Sequence, residues 1–60
     1  MLHFENSRGT YSATGPHDRR WSITQVYTGW RLEFTDPGDP HPTFAGVHRT
    51  LLVAQCEAQR

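Results

Sequence analysis

Sixty residues carrying six arginines, no lysine and six acidic side chains make one small domain without net charge, which disfavours a strongly basic nucleic-acid binder. A chain this short buries only about 60% of its unfolded surface, and its single cysteine, Cys56, excludes an intrachain disulfide. No CxxC or His/Cys cluster offers a structural zinc site, so oligomerisation is the expected extra support.

The N-terminal "MLHFENSRG" lacks a basic stretch followed by an apolar one, so no signal peptide is read there. The longest aliphatic run, Leu51-Leu52-Val53-Ala54, is far too short to span a bilayer. The expectation is a complete small cytoplasmic protein, residues 1–60, without a membrane partner. "LHF" (2–4) either extends the first strand or frays. "RGTYSAT" (8–14) reads as a strand with Tyr11 and Ala13 inward. "GPHDRR" (15–20) is a loop punctuated by Gly-Pro and Asp.

"WSITQVYTGWRLEF" (21–34) is the most legible stretch. Its alternation assigns Trp21, Ile23, Gln25, Tyr27, Trp30, Leu32 and Phe34 to one face. Ser22, Thr24, Val26, Arg31, Glu33 and Thr35 take the other. With Thr28-Gly29 as a two-residue loop, Tyr27 opposes Trp30, Gln25 opposes Leu32 and Ile23 opposes Phe34. A slip by one residue would mix the two faces. Thr28 suits a type I′ turn poorly, and a three-residue loop with a bulge is the competing geometry. The first face is core, with Trp30 at its centre.

"DPGDPHP" (36–42) is barred from helix and strand by its prolines. It brings Asp36, Asp39 and His41 together, but as a stiff solvated loop and not a metal site, because it does not supply a full ligand set. "TFAGVH" (43–48) is a short edge strand or an extended lead-in. "TLLVAQCEAQR" (50–60) is the helix, with Thr50 as N-cap and Arg60 favourably placed against the dipole. Leu51, Ala54, Gln55 and Ala58 share its sheet-facing side, with Leu52 beside them. Val53 and Cys56 fall outside that side. The predicted fold is α+β: a three-stranded, at most four-stranded, antiparallel sheet packed on one C-terminal helix, in the order β-β-β-α.

None of His3, His17, His41 and His48 has a partner at a catalytic spacing, and no nucleophile or metallohydrolase motif is present. Cys56, late on its helix, lacks the surroundings that activate a thiol. The expectation is a non-enzyme without metal or cofactor. It would act by binding protein, either another chain or its own copy. Val53 and Cys56 are the residues expected at the interface, near the two-fold axis of a homodimer. The alternative is DNA binding through the polar sheet face. There Arg31 and Thr24, with Arg19 and Arg20 in the adjoining loop, would carry contacts in the major groove.

The stretches "RGTYSAT", "WSITQV" and "WRLEF", followed by the helix "TLLVAQCEA", give a layout that resembles the three-strand-plus-helix DNA-binding domains of plant AP2 factors and of phage integrase arm-type domains. That resemblance covers most of the chain without a shared specific motif, and "DPGDPHPTFAG" has no counterpart in it. "GWRLEFTDPGD" followed by "AGVHRTLLVAQ" is similar in style to small proteins of actinobacterial phages. That likeness, with the exclusive use of arginine, implies an accessory role through protein binding.

Overall fold

In the computed structural model, which describes residues 2–59, five strands run in order along one antiparallel sheet. They are β1 (Glu5–Ser7), β2 (Thr10–Thr14), β3 (Arg20–Val26), β4 (Gly29–Thr35) and β5 (Thr43–His48), followed by one helix, α1 (Leu51–Ala58). The α+β class and the C-terminal helix agree with the sequence expectation, but the sheet has five strands where three or four were expected. The strand at 43–48 is present as β5. β1 escaped notice because its three residues are polar and exposed, so it shows no alternation. Its signal lies in the turn. Arg8 and Gly9 both have positive φ, 53° and 85°, as a type I′ hairpin requires. The Asn6 side-chain oxygen accepts a hydrogen bond from the Gly9 N–H at 3.2 Å.

The central hairpin keeps its two faces but not its expected pairing. Trp21 opposes Phe34, Ile23 opposes Leu32, Gln25 opposes Trp30 and Val26 opposes Gly29. The loop is therefore Tyr27-Thr28, not Thr28-Gly29, and Tyr27 leaves the sheet altogether, fully exposed. The difference is a slip of two residues. A two-residue slip returns every side chain to its own face, so apolar alternation cannot detect it. Turn chemistry can. Neither Tyr27 nor Thr28 has a positive φ, so Thr28 is spared the conformation it suits badly. Gly29 is needed inside β4, because a Cβ there would collide with the His48 carbonyl oxygen of β5.

The core lies between the Ile23–Leu32 face and α1. Ile23 and Leu32 are 0% and 1% exposed, and Ala54 and Ala58 close on them from the helix. Alanines let the helix approach the sheet, while Leu2, Phe4, Tyr11, Trp21, Trp30, Ala45 and Leu51 pack around the edge of this cluster. Trp30 is a flank of the core and not its centre: it is half-buried, edge-on to Tyr11 with ring centres 6.0 Å apart. The Thr50 hydroxyl oxygen caps α1 by accepting from the Val53 N–H at 3.1 Å. Leu52, expected beside the sheet-facing side, is instead 68% exposed. Arg60, read as a favourable charge at the helix end, lies outside the described residues.

With so few buried side chains, each matters. Leu32→Ala is expected to cost about 2–5 kcal/mol and to leave most of the chain unfolded at room temperature, as read by circular dichroism and urea denaturation. Arg8→Asn, which places Asn-Gly in the type I′ turn, is expected to stabilise the fold by up to about 1 kcal/mol, read as a higher urea midpoint.

Candidate functional site

The helix covers one face of the sheet. Among the described residues no helix or strand packs on the other face, which is built in cross-strand rows. One row runs Ser7, Thr10, Thr24, Arg31, Val47. The next runs Glu5, Ser12, Ser22, Glu33, Phe44. Thr14, Arg20 and Thr35 form a shorter row below them. Hydroxyls fill β2 and the centre of β3, and the large side chains gather on β4 and β5. Phe44 is 56% exposed and Val47 42%. The Arg31 guanidinium lies 5.0 Å from the centre of the Phe44 ring, and its Nε is 3.6 Å from a Glu33 carboxylate oxygen.

Phe44 and Val47 are three residues apart, which in a regular strand would put them on opposite faces. They share a face because β5 carries a bulge. Arg31 opposes Val47 and Glu33 opposes Phe44, so two β4 steps are matched by three in β5. The extra residue lies at Ala45-Gly46, where Gly46 takes a φ of 108° that only glycine adopts easily. Past the bulge the alternation is inverted. Val47 faces out. His48 faces the core side opposite Trp30, and its Nε2 is buried without a hydrogen-bond partner among the described residues. An apolar residue outside and an unpartnered polar atom inside are both unfavourable, and one inserted residue produces both.

The four arginine-face residues expected to touch DNA separate into two groups. Arg20, Arg31 and Thr24 stand on the open face. Arg19 does not. It continues the register of β3 on the Trp21 side, where its Nε and Nη2 donate to the two Asp36 carboxylate oxygens at 2.7 and 3.0 Å. Its guanidinium sits 4.1 Å from the centre of the Phe34 ring and 5.8 Å from that of Trp21, two rings themselves 5.2 Å apart. The forked, charge-assisted pair holds the Asp36 carboxyl below its usual range, chiefly through the hydrogen bonds from Arg19. The same bonds raise the Arg19 pKa. Parity in the sequence carried this signal, since position 19 belongs with 21, 23 and 25.

Asp36 also opens a tight turn over Asp36–Asp39. The Asp39 N–H donates to the Asp36 carbonyl at 3.0 Å, the Asp39 carboxylate accepts from the Asp36 N–H at 3.1 Å, and Gly38 has a φ of 88°. Pro then Gly at the two central positions is the type II pattern. Asp36 and Asp39 are thus engaged within the fold, and among the described residues no three His, Cys, Asp or Glu side chains gather as metal ligands.

Val53 and Cys56, the residues expected at a dimer interface, are exposed on the outer side of α1, with Leu52 near them. Together they make a short apolar stripe of three side chains. Among the described residues no helix is long and apolar enough to cross a membrane. Comparison with protein-family models, with curated proteins and with solved structures finds no match.

The Arg19–Asp36 pair makes stability depend on acidity. With the folded-state pKa of Asp36 depressed, its contribution is present above the unfolded value of about 3.9 and lost as pH falls through the lower folded value. Thermal unfolding midpoints of wild type should therefore drop on acidification below about pH 4, and Asp36→Asn should drop less steeply over the same range. In the opposite hairpin, Gly29→Ala should cost well over about 1 kcal/mol, through both its φ and the His48 carbonyl. A urea midpoint unchanged by this substitution would contradict the close approach of β5 to β4.

Proposed function

We propose that the chain is a non-catalytic interaction module that binds protein through the open face of its sheet. One observation carries the reading: the β5 bulge turns Val47 outward beside Phe44 and Arg31, at the expense of burying an unpartnered His48 nitrogen. Aromatic and arginine side chains grouped on an uncovered surface are the usual anchors of protein interfaces. In the hollow at the Arg20 end of the sheet, lined by Thr14, Asp18, Arg20, Thr35 and Asp36, the Asp36 carboxylate is held by Arg19 and not by a threonine hydroxyl.

Two other surfaces compete. The α1 stripe of Leu52, Val53 and Cys56 would support self-association, but three side chains fall far short of the ~800 Å² per partner of a standard interface. DNA binding would use Arg20, Arg31 and Thr24 on the same open face. It is weakened by the loss of Arg19 to Asp36 and by Glu33 beside Arg31. An accessory role in a cytoplasmic setting, in the manner of small phage proteins, fits a binding module of this size.

Immobilised chain exposed to a lysate supplemented with the soluble chain tests the reading. Wild type should retain a protein that Phe44→Ser/Val47→Ser loses and Leu52→Ser/Val53→Ser keeps. Retention should survive nuclease and change little with salt. Capture abolished by nuclease and steeply weakened by salt would favour the nucleic-acid reading instead.

A further inference from the structure

The open face has the pattern of a surface that fits itself. From its rows we infer that the occupant is a second copy of this chain, packed face to face so that two sheets form a sandwich with the helices outside. The inference rests on the protein-binding reading above and names its partner.

Arg31, Val47 and Thr24 lie in one row, and Glu33, Phe44 and Ser22 occupy the corresponding places in the next. Consider a two-fold axis lying between two such faces, across the strands, at the level of Leu32. It exchanges the rows. Arg31 then meets the second copy's Glu33, Val47 meets the second copy's Phe44, and Thr24 meets the second copy's Ser22. Charge falls on opposite charge, apolar on apolar and hydroxyl on hydroxyl, each contact made twice, as an isologous interface requires. The twist of each sheet turns the layers by about 30° without breaking this exchange near the axis.

Area agrees. The chain exposes 4584 Å², whereas a compact monomer of its mass, 6.9 kDa, exposes about 4,000 Å². The uncovered sheet face contributes to this surplus of roughly 600 Å², together with Tyr27 and Leu52 elsewhere on the chain. At the ordinary strand spacing and rise, the face measures about 24 by 20 Å. That is at most about 480 Å² in projection, which places the contact at the small end of specific interfaces. The edges do not offer the same route. β1 is three residues long and β5 is bulged, two devices that discourage edge-to-edge pairing.

Charge reversal tests the pairing. Sedimentation equilibrium from about 1 to about 100 μM, a range that spans weak to moderate homodimers, should show wild type as a dimer. Arg31→Glu alone and Glu33→Arg alone should each sediment as folded monomers, because each sets like charges together twice. An equimolar mixture of the two variants should re-form a dimer containing one of each, since the charges again alternate. Circular dichroism confirms folding, which exposed Arg31 and half-buried Glu33, both away from the core, should tolerate. A monomeric wild type at about 100 μM overturns the inference. So does a dimer that both single variants retain, a dimer lost on Val53→Glu while Arg31→Glu keeps it, or a variant mixture that stays monomeric. If wild type is monomeric yet retains a different protein through Phe44 and Val47, the binding reading stands and the self-pairing falls. If it does neither, both fall.

Discussion

Ile23 and Leu32 face each other across the central hairpin, and the approach of Ala54 and Ala58 onto that pair is the contact on which the fold depends. It succeeds because the helix offers methyl groups where larger side chains would hold it away. It is also small. An eight-residue helix is marginal by itself and can shield one side of the sheet only. The inner face is therefore spent on folding. Trp21, Phe34 and the Arg19–Asp36 fork close its lower end, and Trp30 with Tyr11 packs beside the core pair. Any interaction with another molecule falls to the outer face, the strand ends or the back of α1.

The bulge at Ala45-Gly46 is what favours the outer face in the proposed reading. Burying an imidazole nitrogen without a partner costs on the order of 1–3 kcal/mol, and leaving a valine half out of the core forgoes about another kcal/mol. Both are large against the few kcal/mol of margin that a chain of this size can hold. A bulge on an edge strand has a purely protective use, since it disrupts the row of groups that another chain could pair with. That use accounts for the extra residue. It does not account for valine at the position turned outward, nor for its alignment with Phe44 along β5 beside the Arg31–Glu33 pair of β4. Departures from local preference collect where a surface serves something besides folding.

Much of this was legible in the residues. The alternation over 21–35 assigned the paired residues of the central hairpin to the right faces, Tyr27 excepted, because period two survives any even slip. For the same reason it could not fix the pairing, which was decided by the close passage of the His48 carbonyl over Gly29, a contact between residues far apart in sequence. β1 was hidden because a three-residue polar edge strand has no pattern of its own. Its turn, Arg8-Gly9, was disguised by an arginine where asparagine is customary. On the helix, Leu52 was read as a flank of the sheet-facing side. The wheel gives its angle but not how narrow a strip of helix two alanines bring into contact. Most of the candidate surface was visible as the polar face around Arg31. Its apolar half was not, since Phe44 and Val47 have the wrong spacing for one face until Gly46 is known to be a bulge.

The arginines show why area, and not charge, must drive binding at that surface. Arg19 is taken out by Asp36 and two aromatic rings. On the open face Arg20 and Arg31 stand with Glu5 and Glu33, so the sum is zero. Two phosphates at most could be neutralised there, which limits counterion release to about the second power of salt concentration and leaves the acids to be desolvated unpaired. A polyanion therefore gains little. A second copy of the same face would set each Arg31 against a Glu33 while Phe44 and Val47 leave water together. Balanced charge then contributes orientation and selectivity, and the apolar pair contributes the free energy.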